Sequence, residues 1–167
     1  MHRVDLHGLI KKVLDMRKYQ EKVHDINVTS NFLKGPLYVN GDSAQLTQVF
    51  INLVVNAEAA LKETKEGVIT VSTRLHGERV KISVTDNGTG IPEENLNKIF
   101  NPFFTTRGVG KGTGLGLSTC YGIVTAHGGL IHAGNNDQGG ATFTVELPLA
   151  GKGRQGTLPL ETEEADS

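Results

Sequence analysis

The chain has 167 residues, of which 37 % are hydrophobic and 21 % charged; that suits one domain with its own core and excludes a disordered chain. A net charge of -1 gives no field for wrapping nucleic acid or an anionic membrane. The single cysteine, Cys120, excludes an internal disulfide framework, fits a reducing compartment and reads as a small buried apolar residue. No signal-peptide pattern opens the sequence, and no apolar run approaches the roughly 20 residues of a membrane span. A cytoplasmic domain is expected, with any membrane attachment in another part of a longer protein.

Leu6, Leu9, Ile10, Val13 and Leu14 recur at helical spacing behind Asp5, a candidate N-cap, and predict a helix over about Leu6 to Tyr19. Alternation at Ile26 and Val28 predicts a strand, and His24 shares its parity. A short strand at most is expected over Leu37 to Asn40. Asp42 with Gln45 makes a capping-box pattern for a long helix over about Ser43 to Glu63. Alternating runs from Val68 to His76 and from Arg79 to Asp86 read as a hairpin turning at Gly77-Glu78. One short helix is expected after Pro92. A further helix runs from about Leu115 to Ala126, stopped by Gly128-Gly129, with His127 placed to cap it. Strands from Leu130 to Gly134 and from Ala141 to Pro148 close the ordered part, residues 1–150. Residues 151–167 have no period, end acidic and are expected to be a mobile tail. The expected fold is α/β (α+β): a two-layer sandwich, its mixed, mostly antiparallel sheet of about five strands covered on one face by three main helices.

Three stretches carry chemistry. "QVFINLVVNAEAA" puts Asn52 and Asn56 one helical turn apart, at the margin of an apolar arc of Leu46, Val49, Phe50, Leu53, Ala57, Ala60 and Leu61. Two readings fit: surface asparagines, or amide oxygens facing a cleft, where they suit Mg²⁺ already carrying water and phosphate. Ile51 and Val55, off the arc, are expected against a neighbouring helix or a partner. In "RVKISVTDNGTG", Asp86 shares the parity of Val80, Ile82 and Val84. A carboxylate ending a core-facing row is costly unless something hydrogen-bonds it. The exocyclic amine of adenine could donate, with Gly88 and Gly90 letting backbone approach a flat ring; an Asp-Asn-Gly turn could equally cap itself. "GVGKGTGLGLST" holds five glycines and Lys111, yet fits neither the P-loop nor the dinucleotide fingerprint.

Taken together and in order, the asparagine helix, the Asp-x-Gly-x-Gly turn, "IFNPFFTTR" and the glycine ladder resemble the ATP-binding catalytic domain of sensor histidine kinases. That family lies within the ATPase superfamily of gyrase, heat-shock chaperones, histidine kinases and mismatch-repair proteins. The resemblance covers about Asp5 to Pro148, including the final "GGATFTVELP". It implies a Bergerat-type ATP-binding fold and a bacterial two-component kinase using ATP and Mg²⁺. It implies that Asn52 and Asn56 are catalytic, with Asn56 the Mg²⁺ ligand, and that Asp86, Gly88, Gly90 and Ile91 form the adenine side. Phe104, Thr105, Thr106, Arg107, Lys111, Gly112, Thr113, Gly114, Leu115, Gly116 and Leu117 then form the lid and phosphate side. Phe100, Phe103 and Phe104 match its phenylalanine box, and Phe103 and Phe104 are expected to anchor a lid of about Asn95 to Gly110, mobile without nucleotide. Alternating glycines turn backbone N–H groups toward phosphate, and the helix beginning near Leu115 adds its dipole.

Two departures stand out. Ala141 occupies a position where relatives carry Ser or Thr. The family's phosphoacceptor histidine, which sits on a separate helical hairpin, is absent: the six histidines are His2, His7, His24, His76, His127 and His132, and His24 is expected to lie on its strand. The implied partners are therefore the dimerisation and phosphoacceptor domain of a parent kinase and, indirectly, a response regulator; neither nucleic acid nor membrane is expected, and the isolated chain should be monomeric. The rival is a hydrolytic ATPase or clamp. It needs a glutamate base where this chain has Asn52, and an amide cannot take a proton from water; Glu58 points elsewhere on the helix. An anti-sigma-type kinase fits less well, because those relatives lack the long lid.

Overall fold

The computed structural model of the protein describes residues 1–102 and 116–151. The described elements are β1 (His2–Asp5), α1 (Leu6–Val23), β2 (Ile26–Asn31), β3 (Tyr38–Gly41), α2 (Ser43–Ala60), β4 (Gly67–His76), β5 (Arg79–Asp86), α3 (Gly116–Ala126), β6 (Leu130–Asn135) and β7 (Ala141–Pro148). A single helical turn, Glu93–Asn95, follows Pro92.

Alternation makes the sheet. Ile69 and Val71 of β4, Val80, Ile82 and Val84 of β5, and Phe143, Val145 and Leu147 of β7 are buried while their neighbours are less so. The register aligns them: Val71 faces Val84, Val84 faces Phe143, and Ile82 faces Val145. The strand order is β2-β4-β5-β7-β6, with β2 parallel to β4 and the other pairs antiparallel. The expected open sandwich, five-stranded mixed sheet and three helices are all present. On the solvent face, Glu146 is buried beneath Arg79 (3.2 Å) and Lys81 (3.6 Å).

The helices form for local reasons. Asp5 accepts from the Gly8 N–H at 3.2 Å and starts α1; Asp42 accepts from Gln45 at 3.1 Å and starts α2. α2 packs on α1 and α3 as well as on the sheet. That central place explains why Val54, outside the expected arc, is buried, and why Ile51 packs partly against the core.

Three expectations need correction. α1 continues past Tyr19 to Val23. Its last turn is polar apart from Val23, so apolar periodicity alone stops early. His24 is the C-cap of α1, its backbone N–H bonded to the Gln20 carbonyl and that of Asp25 to the Lys22 carbonyl, and is not on the strand. Asp25 at φ +59 reverses the chain between the two. Finally, α2 ends at Ala60 rather than at Glu63; the short strand expected over Leu37 to Asn40 is present as β3 and pairs with β1, whose four residues are too short for an alternation signal, in a separate two-stranded sheet.

One polar cluster lies between α1 and α2. Arg17 reaches Glu58 with Nη2 at 2.6 Å and Nε at 3.2 Å. Glu21, 3 % exposed, sits beside this pair, and its Oε2 has no hydrogen-bond partner among the described residues. Burial, and then hydrogen bonding and charge repulsion from Glu58, push its carboxyl up to about 8, against the pull of Arg17. The folded chain therefore holds this proton more tightly than the unfolded chain. Its contribution to stability is full below the unfolded value of 4.5 and falls as pH climbs to about 8, by up to about 1.4 kcal/mol per pH unit. Glu21→Gln keeps a donor toward Glu58 without a titrating proton. Urea unfolding across pH 5 to 9 should show the variant gaining on wild type as pH rises and levelling above about 8; parallel curves would show that Glu21 is ionised in the fold.

Candidate functional site

The last residue of β5 is the centre of the site. Asp86 follows Val80, Ile82 and Val84 into the helix-facing row and is 2 % exposed. Its Oδ1 accepts from the Gly88 N–H at 2.9 Å and the Ala141 N–H at 3.3 Å. Burial pushes the carboxyl above its ordinary value, while the two amides pull it back. The self-capping turn and the buried acceptor are thus one arrangement: the Gly88 contact is the Asx turn, and it does not use the whole carboxylate. Ala141 has no hydroxyl to offer and contributes its backbone amide.

The glycines are where backbone passes backbone. A Cβ on Gly88 would run into the Ala60 carbonyl at the end of α2. Gly90 has φ +78, and a Cβ there would lie 2.7 Å from the Gly139 carbonyl and 2.9 Å from Asn135 Oδ1. Ile91, next along, is partly buried against the core.

α2 brings the second wall. Asn52 Nδ2 donates to the Gly116 carbonyl at 3.1 Å, and its Oδ1 accepts from Gln48 at 2.7 Å. Asn52 thereby ties α2 to the first residue of α3. Asn56 stands one turn further along α2, half-buried. His127 does more than end α3: Nδ1 meets the Ile123 carbonyl at 2.8 Å while Nε2 accepts from the Asp42 N–H at 3.0 Å. The two helices are thus joined near both ends of their contact. Between these ties, Cys120 is wholly buried, its thiol 3.6 Å from the Val49 carbonyl and pushed up to about 12 by burial. It is a packing residue. Glu58 is held by Arg17 and is no substitute base. Leu117 packs partly against the core.

Phe103, Phe104, Thr105, Thr106, Arg107, Lys111, Gly112, Thr113, Gly114 and Leu115 lie outside the described residues, as does the second half of the expected lid. Sequence reasoning missed Asn135, Asn136 and Gly140. Asn136 donates to the Asp86 carbonyl at 3.0 Å, and a Cβ on Gly140 would overlap that same carbonyl and lie 2.6 Å from Asp86 Oδ1. "GNNDQGG" signals a turn, but nothing in it says which strand end the turn covers.

The residues present suit a nucleotide with a hydrated divalent cation. The Gly88 and Gly140 approaches keep side chains away from Asp86. Among the described residues no cluster of three or more His, Cys, Asp or Glu could cage a metal, whereas an amide oxygen such as Asn56 Oδ1 suits Mg²⁺ that keeps water and phosphate ligands. Among the described residues no helix is long and apolar enough to cross a membrane.

Residues 41–151 match the family described as histidine kinase-, DNA gyrase B-, and HSP90-like ATPase. The chain is 37 % identical over 145 residues to sporulation kinase A of Bacillus subtilis (strain 168), covering 87 % of this chain and 23 % of that protein. It is 38 % identical over 149 residues to sensor histidine kinase ZraS of Escherichia coli (strain K12), covering 89 % and 31 %. It therefore spans less than a third of the length of either relative. The nucleotide-free catalytic domain of histidine kinase ThkA superposes with a TM-score of 0.80 at 36 % identity, over 90 % of this chain and 100 % of that one. ThkA in complex with response regulator protein TrrA gives a TM-score of 0.74 at 34 % identity, over 87 % of this chain and 41 % of that one.

The glycine contacts make a graded prediction. Gly88→Ala and Gly140→Ala push a methyl into backbone carbonyls and should destabilise by about 1–3 kcal/mol. Gly122, on the exposed side of α3 with nothing among the described residues near its Cβ position, should gain up to about 1 kcal/mol as alanine. Urea unfolding of the three variants checks the order; equal effects would mean that the two turns do not close on Asp86 and Ala60.

Proposed function

The chain belongs to the histidine kinase-, DNA gyrase B-, and HSP90-like ATPase family, and from that premise we propose that it is the catalytic module of a sensor histidine kinase that presents the ATP γ-phosphate to a histidine on a separate domain. Nucleotide binding follows from the family and homology from the kinase catalytic domains. The dimerisation and phosphoacceptor domain as partner, and a response regulator beyond it, belong to the proposal. The complex of ThkA with TrrA supports the regulator.

The observation that carries the reading is Asp86: a carboxylate buried at a strand end with both backbone amides on Oδ1. Oδ2 is then the oxygen that accepts from the adenine amine, with Gly88 and Gly90 against the ring. Asn56 is the amide that holds Mg²⁺, and Asn52 sets the start of α3. Arg107, Lys111 and the ladder Gly112, Gly114 and Gly116 serve the phosphates. For all of these but Gly116 the support is the sequence alone. When bound, Mg·ATP supplies the transferable phosphoryl group and the metal charge that offsets it. The chain's own work is orientation and exclusion of water.

Asn52 also argues against the hydrolytic reading. Both atoms of its amide are bonded, to Gln48 and to the Gly116 carbonyl, so neither is placed to draw a proton from water. The module should hold ATP until an imidazole arrives.

ATP and ADP should bind and GTP should not, since guanine would turn a carbonyl toward Asp86. Asp86→Asn should weaken ATP binding by about 1.5–3 kcal/mol, the scale of a hydrogen bond to a charged group. Titration calorimetry with ATP and GTP decides the point; equal affinities would remove the adenine role.

Phosphotransfer gives a separate test. Incubated with labelled ATP, the chain alone should form no acid-labile phosphohistidine. The parent's phosphoacceptor domain, added separately, should restore transfer weakly, because the tether that raises effective concentration is missing. Asn56→Ala should abolish that transfer and His24→Ala should not. Strong labelling of the chain alone, lost in His24→Ala, would make His24 the acceptor.

A further inference from the structure

Two tight turns face each other beside Asp86, and only the first holds residues that the resemblance assigns to the nucleotide. The first is Gly88 to Ile91. The second is residues 135–140, from the last residue of β6 to the start of β7. Asn135 spans the gap with both atoms of its amide: Oδ1 accepts from the Ile91 N–H at 2.7 Å, and Nδ2 donates to the Ile91 carbonyl at 2.7 Å. That is the pattern of one strand pairing with another, made by a side chain. Only an amide can do it, since a carboxylate has no donor and an amine no acceptor.

Asn136 works on the other side of the same turn. It donates to the Asp86 carbonyl at 3.0 Å and to Thr142 Oγ1 at 3.3 Å, and accepts from Gln138 at 2.9 Å and Gly140 at 3.2 Å. Its own N–H donates to the Gly140 carbonyl at 2.8 Å. Gly140, with no Cβ, lets the turn lie directly on Asp86, and the next residue, Ala141, gives its N–H to Asp86 Oδ1. Gly90, at φ +78, lets the first turn lie against Asn135 and Gly139. Each turn is thus shaped to receive the other.

We propose that Asn135 and Asn136 are positioning residues for adenine recognition, locking the 135–140 turn to the Gly88–Ile91 loop and so setting where Asp86 meets the base. This rests on the adenine reading of Asp86. The consequence is that base selectivity depends on a turn distant in sequence from every residue expected to touch nucleotide. Asn135 itself is exposed, so its truncation leaves the Ile91 groups to water and should move the site without unfolding the domain.

The test is Asn135→Ala, read three ways: urea unfolding without nucleotide, ADP affinity by calorimetry, and the amide resonances of Gly88 and Ala141 by NMR without nucleotide. The unfolding midpoint should stay near wild type. ADP affinity should fall about tenfold, as it would if only about a tenth of the variant held the loop in the binding position. The Gly88 and Ala141 resonances, which report on Asp86 rather than Ile91, should shift. Wild-type ADP affinity in the variant, or unmoved Gly88 and Ala141 resonances, would overturn the inference. So would a loss of binding that only tracks a fall in the unfolding midpoint. Failure of the wild-type chain to bind ADP would overturn the adenine reading itself, and this inference with it.

Discussion

Burying the Asp86 carboxylate is the constraint on which the rest of the site depends. A charge at the end of a core-facing row demands donors, and the fold supplies two from its own backbone, Gly88 and Ala141. To bring them in, two loops must press against one strand end. That in turn requires glycine at 88 and 140, where any side chain would strike a carbonyl. The cluster of glycines around one aspartate is therefore a packing consequence.

The second constraint is rigidity between α2 and α3. Asn52 holds the Gly116 carbonyl, and His127 bridges the Ile123 carbonyl and the Asp42 amide. α2 is in turn fixed to α1 by Arg17 and Glu58, and to the glycine turn through Ala60. The Asp86 turn and the asparagine helix are thus mechanically one piece. A site that works by orientation needs that, since misplacement by an ångström costs rate steeply.

Much of this was legible in the sequence. Val80, Ile82, Val84 and Asp86 alternate so plainly that parity alone placed the carboxylate inward, and Asp5 and Asp42 announced their helices. What was not legible depended on residues distant in sequence. β1 and β3 are four residues each and exist because they meet each other. His24 looked like strand because parity extends backwards until a left-handed residue, Asp25, ends it. Asn135 and Asn136 sit in a turn whose composition says only that it bends; that it covers Asp86 follows from β7 pairing with β5. His127 read as a cap, and its bond to Asp42, 85 positions away, has no local signature.

The central claim is that Asp86 reads the amine of adenine, and a thermodynamic cycle tests it most directly. ATP and purine riboside triphosphate, which lacks only that amine, would be titrated into wild type and into Asp86→Asn. Wild type should lose about tenfold or more in affinity when the amine is removed, the scale of a hydrogen bond to a charged group, and Asp86→Asn should lose much less. Equal losses in both proteins would show that the amine and the carboxylate do not meet, and would contradict the account.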